Sequence, residues 1–342
     1  MNCKIALAAL FLLTGPIAAS QEETIYMSVL NSRKHRLNAD DNPVVGLFVS
    51  TDAGRTWTHR GWREYVRVFY TEAGSDGTVW SACGNGVMRS LDGAKTWKIV
   101  TDWHVTEALK VKVDPSNPRT IFAATAYGII RSTDHGDTWT FQNAGLRRTF
   151  TDDLVIDHAD SRRVFAATEG GIFRSVDGGG SWVLAGLKDR GIRTIVQDPV
   201  HAQTFWVGTE DDGVFRSSDG GKSWVQRVSG LNHRTVYAIL LDPDKPDRIL
   251  LGTHGGGVYV SMDGGARWVQ KNDGLTTPVI HALAMIPGPR PVIFAGSLNG
   301  GLFQSMDGGA HWAFNSQEQG QVWGLFVTPG AKAARDSDAG NR

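Results

Sequence analysis

Chemically reactive side chains recur at one position of an internal repeat, six residues before the proline, or its equivalent, that ends the first strand of each unit. Arginine binds carboxylate or sulfate through two parallel hydrogen bonds, tyrosine and histidine can act as general acid and base, and an indole can stack on a sugar ring. Packing alone would favour one residue type at this position in every unit. The variation therefore favours a ligand or catalytic site; the alternative is that these groups satisfy one another in a water-filled channel. The seven occupants are Trp323, Arg67, Leu109, Asp152, Arg193, Tyr237 and His281.

Two kinds of glycan chemistry are open to these residues. In a lyase, Tyr237 and His281 would act as base and acid while Arg193 neutralises the carboxylate of a uronic acid. In a hydrolase, Asp152 would work with a second carboxylate about 5–10 Å away, as retaining and inverting mechanisms require. Asp152 and Asp153 alternate along a strand, so we expect only one of them to face the channel. The candidates for the second carboxylate are Glu107, Glu169 and Asp211.

The repeat that must position these residues is marked by a polar eight-residue box that ends in tryptophan. Seven copies of the box start 40 to 44 residues apart, a period typical of propellers and solenoids. Within one unit, TVYAILLD, RILLGT, VYVSMD and RWVQKN read as four short strands separated by turns. Four strands repeated seven times predict the blades of a propeller. The boxes begin at Ser50, Ser90, Ser132, Ser175, Ser217, Ser261 and Ser305.

The boxes are interpreted as structural. The aspartate of each box is expected to accept backbone N–H groups of the loop between strands three and four, as in an Asx turn. The tryptophan is expected to turn inward between blades, where its N–H finds a partner. Each box offers one carboxylate at a fixed position, whereas a calcium loop needs alternating oxygen ligands, so we expect no metal site there. We expect no cofactor.

The sequence predicts an all-β fold: a single seven-bladed β-propeller of four-stranded antiparallel blades over residues 21–329. The first box is preceded by a second strand at TIYMS but by no inner strand, and the last box is followed by a lone inner strand, Gln321–Pro329. We expect these two ends to pair in one blade, which leaves no open edge between the termini. Residues 330–342 are expected to form a disordered tail.

The boxes should lie on one face of the ring. The opposite face, called the top face below, is built from the turns between second and third strands and from the segments that lead into each inner strand. Ligands are expected there, at the mouth of the central channel. Two further arginines, Arg148 and Arg234, fall on this face as candidate substrate-binding residues. The first turn, Asn31–Val45, is longer than its equivalents and is either a functional loop or an unimportant insertion.

The N-terminal twenty residues have the pattern of a secretory signal peptide: Lys4, the apolar run IALAALFLL, and small residues at Ala18–Ser20. The run is shorter than the ~20 residues of a membrane span, so an uncleaved anchor is the weaker alternative. Cleavage would leave Cys83, read as a small buried residue, and would place the protein in the periplasm or outside the cell. With 35 acidic and 35 basic residues, bulk binding of nucleic acid is not expected. We expect a monomer.

The boxes and the surrounding DP…P…AT…GG…RS.DGG..W pattern resemble the Asp-box (BNR) repeat superfamily over essentially the whole chain after the first twenty residues. The superfamily includes sialidases, two-propeller xyloglucan hydrolases, sortilin-type receptors and a photosystem II assembly factor. The unit IFAATAYGIIRSTDHGDTW looks most like those of the xyloglucan hydrolases, which carry a carboxylate in the turn after the second strand. That resemblance implies Glu169, Asp211 and Asp212 as candidates. The sequence lacks the early Arg-Ile-Pro motif of sialidases and has length for one propeller only.

Two functions remain open from the sequence. One is an exported propeller that binds, and as a hydrolase or lyase cleaves, an anionic or complex polysaccharide at the channel mouth. The other is a non-catalytic scaffold that binds a protein partner on the top face, similar to the assembly factor or the sortilin-type receptors. A deep mouth that brings the ring residues within hydrogen-bond reach favours the enzyme. A flat, wide top with arginines spread over it favours the scaffold.

Overall fold

The computed structural model describes residues 23–33, 44–61 and 66–328. These residues form seven antiparallel sheets of four strands each, which confirms the predicted seven-bladed propeller. Blade 1 contains β1 (Ile25–Ser32), β2 (Gly46–Ser50) and β3 (Thr58–His59), and its innermost strand is β28 (Gly320–Val327). Blade 2 contains β4 (Val68–Ala73), β5 (Val79–Cys83), β6 (Gly86–Ser90) and β7 (Lys98–Ile99). Blade 3 contains β8 (Ala108–Val113), β9 (Ile121–Thr125), β10 (Gly128–Ser132) and β11 (Thr140–Phe141).

The remaining blades repeat this order, with the innermost strand first in the chain. Blade 4 contains β12 (Thr151–Ile156), β13 (Val164–Thr168), β14 (Gly171–Ser175) and β15 (Val183–Gly186). Blade 5 contains β16 (Ile192–Gln197), β17 (Phe205–Thr209), β18 (Val214–Ser217) and β19 (Val225–Gln226). Blade 6 contains β20 (Val236–Leu241), β21 (Ile249–Thr253), β22 (Gly257–Ser261) and β23 (Val269–Gln270). Blade 7 contains β24 (Ile280–Ile286), β25 (Val292–Ser297), β26 (Gly301–Ser305) and β27 (Ala313–Ser316).

Burial falls from the second strand of each blade toward its rim. In β9 all five side chains of the sequence IFAAT are buried, as expected for a short apolar run packed on both faces. The outermost strand β11 has two residues, and both are exposed. The apolar clusters therefore lie between neighbouring blades: one of them joins Phe122 and Ile129 of blade 3 to Leu154 and Phe173 of blade 4.

The ring closes as predicted. β28 pairs antiparallel with β1, with Ile25 opposite Val327 and Met27 opposite Leu325. The backbone N–H of Thr328 donates to the carbonyl of Thr24 at 2.9 Å. Both ends of the described chain thus belong to one blade, and the inner edge of β1 is covered.

Every innermost strand carries one extra residue in its ladder with the second strand. In blade 3, Ala108 pairs with Thr125 and Lys110 with Ala124, which leaves Leu109 without a partner. A bulge of this kind bends the strand and changes the direction of the extra side chain. The same shift occurs in the other six blades.

The boxes have the geometry that the Asx-turn interpretation predicts. In the box at Ser217, the Ser217 hydroxyl donates to Asp219 at 2.8 Å and accepts from the N–H of Gly221 at 2.9 Å. Asp219 also accepts from the N–H of Ser223 at 3.0 Å and from its hydroxyl at 2.6 Å. These hydrogen bonds, above all the one from the Ser223 hydroxyl, lower the pKa of Asp219.

Several predicted features fall wholly or largely outside the described residues: the signal peptide at 1–20, the tail at 330–342 and most of the long first turn. Within 23–33, 44–61 and 66–328 there is no helix long and apolar enough to cross a membrane. Cys83 is buried and its thiol donates to the carbonyl of Gly86 at 3.0 Å. Burial raises the pKa of this thiol to about 12, which disfavours its use as a nucleophile.

Candidate functional site

The bulged residues of the seven inner strands meet around one cavity at the top of the central channel. All seven are half-buried, and all seven line the same space of about 90 Å³. The sequence placed six of them correctly, because the bulge is what repeats in each blade. They are Phe69, Leu109, Asp152, Arg193, Tyr237, His281 and Trp323.

Arg67 does not hold the ring position expected for it. In blade 2, Val68 pairs with Cys83 and Tyr70 with Ala82, so Phe69 is the bulged residue. The inner strand of this blade ends without a proline, and the register inferred from Ala73 was two residues short. Arg67 is exposed instead on the top face, where its side chain lies against Gly84 in the turn after β5. Its predicted role in substrate binding stays a prediction.

One half of the ring is charged. The guanidinium of Arg193 lies 3.1 Å from Asp152 and 2.6 Å from Glu210, which stands in the turn after β17. Burial raises the pKa of Asp152 to about 7, although the charge of Arg193 opposes this shift. Asp152 can therefore exchange a proton near neutral pH, as a catalytic acid must.

The other half of the ring is aromatic. The Tyr237 ring stacks on His281, with centroids 4.2 Å apart and planes at 15°. His281 contacts Trp323 at 4.5 Å, and Trp323 meets Phe69 edge-on at 5.9 Å. Burial lowers the pKa of His281 to about 4 and raises the pKa of Tyr237, so both rings are neutral at neutral pH.

Two donors in this ring have no partner. Nε of Arg193 and Nε1 of Trp323 are both buried, and no acceptor in the described part of the chain bonds to them. Buried N–H groups in folded proteins are normally paired, so these two donors can bond an acceptor atom of a ligand or of water.

A charged layer lies just below the ring, along a second cavity of about 140 Å³ that shares six residues with the first. Lys110 lies 3.5 Å from Asp153 and 4.0 Å above the ring of Tyr70. Lys112 lies 2.8 Å from Glu72. The expectation that only one of Asp152 and Asp153 faces the channel is wrong, because the bulge at Asp152 brings both onto the cavity wall.

The remaining candidates surround the mouth without entering it. Glu169 is half-buried in the turn after β13, and its charge contributes to the raised pKa of Asp152. Arg148 packs against Gly170 of the same turn. Asp211 and Arg234 are exposed, and Asp212 pairs with Arg190.

Sequence reasoning missed Phe69, Glu210, Lys110 and Lys112 as members of the site, and it considered Asp153 only as the alternative to Asp152. The signal for Lys110 and Asp153 was present, since each follows a bulged residue directly. Glu210 precedes the two turn acids Asp211 and Asp212 that were considered, and its pairing with Arg193 depends on a distance that spacing does not give.

The fold places the chain in a class of known structures, the seven-bladed β-propellers. Neither a protein-family model nor a curated protein matches the sequence. Among solved structures, it is similar to a GH74 xyloglucanase from Xanthomonas campestris at TM-score 0.65 and 17% identity, over 88% of this chain and 55% of that one. An ancestral GH74 enzyme gives TM-score 0.62 and 19% identity, over 76% of this chain and 38% of that one.

A second kind of protein shares the same fold. YCF48 bound to a D1 peptide gives TM-score 0.61 and 15% identity, over 83% of this chain and 89% of that one. The chain thus spans 38% and 55% of the two GH74 chains but most of YCF48. At these identities the similarities establish the propeller fold alone, and the function has to be argued from the site.

Proposed function

We propose that this protein is exported and binds an anionic glycan at the mouth of its central channel, where Asp152 assists cleavage of a glycosidic bond. The observation that carries the proposal is the pair of unpartnered buried donors, Arg193 Nε and Trp323 Nε1, in a cavity walled by aromatic rings. A carboxylate or sulfate would supply the missing acceptors, while Tyr237 and Trp323 offer faces to a sugar ring.

The geometry supports hydrolysis better than elimination. A lyase would need an ionised Tyr237 and a protonated His281, and burial works against both states. Asp152, with its pKa near 7, can donate a proton to the glycosidic oxygen as the C–O bond breaks. Water would then add to the anomeric carbon and lose its proton to a second carboxylate, for which Glu169, whose charge acts on Asp152, is our candidate.

The test uses the purified full chain with a panel of uronate-containing, sulfated and neutral polysaccharides. Binding is measured by calorimetry and cleavage by new reducing ends. Trp323→Phe keeps an aromatic, though smaller, ring and removes the N–H, so we expect weaker binding of anionic ligands. Asp152→Asn should abolish cleavage and retain binding. Lys222→Ala, on an exposed box residue of the opposite face, is the matched control. Equal binding by wild type and Trp323→Phe would contradict the proposal.

One observation favours a protein partner as the second candidate. The mouth encloses about 90 Å³, below the ~300–1,000 Å³ of ordinary ligand pockets. Arg147, Arg148 and Arg234 are exposed around it, and none makes an ion pair with a described carboxylate. The likeness to YCF48, whose structure holds a D1 peptide, covers 89% of that chain.

A pull-down with purified full-chain variants of the top face distinguishes the two candidate functions. A scaffold should lose its partner when Arg148→Ala and Arg234→Ala are combined, with an affinity that falls as salt rises. Asp152→Asn should leave such a partner bound. Loss of polysaccharide cleavage in Asp152→Asn, with no salt-sensitive protein partner, would instead select the glycan function.

A further inference from the structure

The box tryptophans fasten each blade to the one before it, and one of the seven does not. Six of them donate their indole N–H to the outer part of the preceding blade, as Trp182 does to the carbonyl of Gln142 at 2.7 Å. Trp57, Trp97, Trp224, Trp268 and Trp312 behave in the same way. Trp139 instead donates to Gly136 of its own box at 3.2 Å. Blades 2 and 3 are therefore not joined by this bond at their rim.

A groove opens where the bond is missing. Its volume is about 550 Å³, several times that of the channel mouth and inside the ~300–1,000 Å³ range of ligand pockets. One wall is the segment after β7, with Val100, Asp102 and His104, and the other is formed by Trp139 and Phe141 of blade 3. This site is separate from the top-face cavity and shares no lining residue with it.

An exposed aromatic plane stands at the edge of the groove. Trp103 is 81% exposed, the highest value among the large apolar side chains of the described residues. Its ring stacks on His104 with centroids 3.6 Å apart and planes at 31°. The backbone N–H of His104 donates to Asp102 at 2.9 Å, so a tight turn fixes the pair. One face of the indole is left open to solvent.

The carboxylates of the groove already have partners. Arg89 lies 3.2 Å from Asp137, and Asp102 accepts the backbone N–H of His104 at 2.9 Å. A cationic ligand would therefore find aromatic faces but carboxylates that are already engaged. A peptide adding as a strand would find outer strands of only two residues, β7 and β11.

We propose that this groove binds a neutral oligosaccharide. The apolar C–H face of a pyranose ring packs on Trp103, and further rings contact Trp139 and Phe141 within the groove. Asp102, Asp137 and Thr138 accept hydrogen bonds from the sugar hydroxyls without needing a charge on the ligand. The site does not depend on the channel mouth, so either site can exist without the other.

The test measures binding of short neutral gluco-, xylo- and manno-oligosaccharides to the full chain, by calorimetry and by tryptophan fluorescence. Trp103→Ala should weaken binding about tenfold, the loss of one stacking contact. Because Trp103 is exposed, this variant should unfold at the same urea concentration as wild type. Phe314→Ala, on the outer strand of blade 7 and 50% exposed, is the matched control and should bind as wild type does.

The outcomes separate this site from the top-face proposal. Trp323→Phe and Asp152→Asn should leave neutral oligosaccharide binding unchanged. Equal affinity in Trp103→Ala and wild type, or absence of binding to all three sugar series, would overturn the groove proposal. Displacement of the sugars by choline or oligolysine would overturn it as well, because it would show that the groove is a cation site.

Discussion

At the scale of single residues, the ring around the channel combines a charged half with an aromatic half. Arg193 is shared by Asp152 and Glu210, and the aromatic half keeps His281 uncharged. This pairing shows that some polar groups of the ring bond one another, which is what the alternative interpretation of the sequence predicted. The two unpartnered donors are the part that it leaves open.

The raised pKa of Asp152 predicts a pH-dependent contribution to stability. A carboxyl with a folded-state pKa near 7, against an ordinary value of 3.8, binds its proton more tightly in the folded protein. Its contribution is therefore fully present below pH 3.8 and is lost as the pH rises through 7. The stability of wild type minus that of Asp152→Asn should fall between pH 4 and pH 7 in urea unfolding. A difference that rises over this interval would show that the ion pair with Arg193 outweighs burial.

The identity of the ring residues could be read from the sequence, and their charges could not. Spacing from a repeated proline identifies the bulge in five blades, and counting from the equivalent His158 identifies it in a sixth. The count failed at Arg67 because Ala73, taken as the equivalent position in that blade, is two residues too early. The proton on Asp152 depends on burial and on Arg193, which belongs to the neighbouring blade. Only the packing of the two blades brings these groups together.

At the scale of elements, each box is the turn that connects the third strand of a blade to its outermost strand. Ser217 is buried, and its hydroxyl links the loop carboxylate to the N–H of Gly221. Gly221 has φ +77 and lies so close to Phe165 that a Cβ atom would overlap that ring. The sequence predicted the roles of the serine and the aspartate from the repeat alone, because their contacts within the box are local.

Ser217→Ala tests the box. The change leaves the buried N–H of Gly221 without an acceptor, which should cost about 1–3 kcal/mol in the free energy of unfolding. Gly221→Ala should cost more, because it adds backbone strain to a steric overlap. Lys222→Ala in the same box should be within about 0.5 kcal/mol of wild type. A Ser217→Ala variant as stable as wild type would mean that the box contributes no stability at this blade.

At the scale of the whole molecule, closure joins chain segments about 300 positions apart, as the hydrogen bonds between Thr24 and Thr328 show. The sequence predicted this closure from an incomplete first unit and a surplus last strand. It did not predict the groove between blades 2 and 3. That groove follows from one tryptophan bonding to its own loop, a choice that the box sequence STDHGDTW does not reveal.

Removing β28 tests the closure. A chain ending at Gln319 would expose the inner edge of β1 and uncover the cluster that contains Met27 and Phe294. We expect loss of the cooperative thermal transition and concentration-dependent association through the open edge. A chain ending at Thr328 retains every described strand and should melt as the full chain does. Unchanged melting of the shorter chain would show that blade 1 is stable with three strands.

The bulge affects which residues of such a protein can be substituted without loss of the fold. Because each ring residue stands outside the ladder of its inner strand, substituting it removes no backbone pairing from the blade. Seven sites around one axis can then vary while the scaffold keeps its register. A library randomised at these sites alone should yield folded variants with new ligand preferences, which makes the channel mouth a ready starting point for engineered receptors.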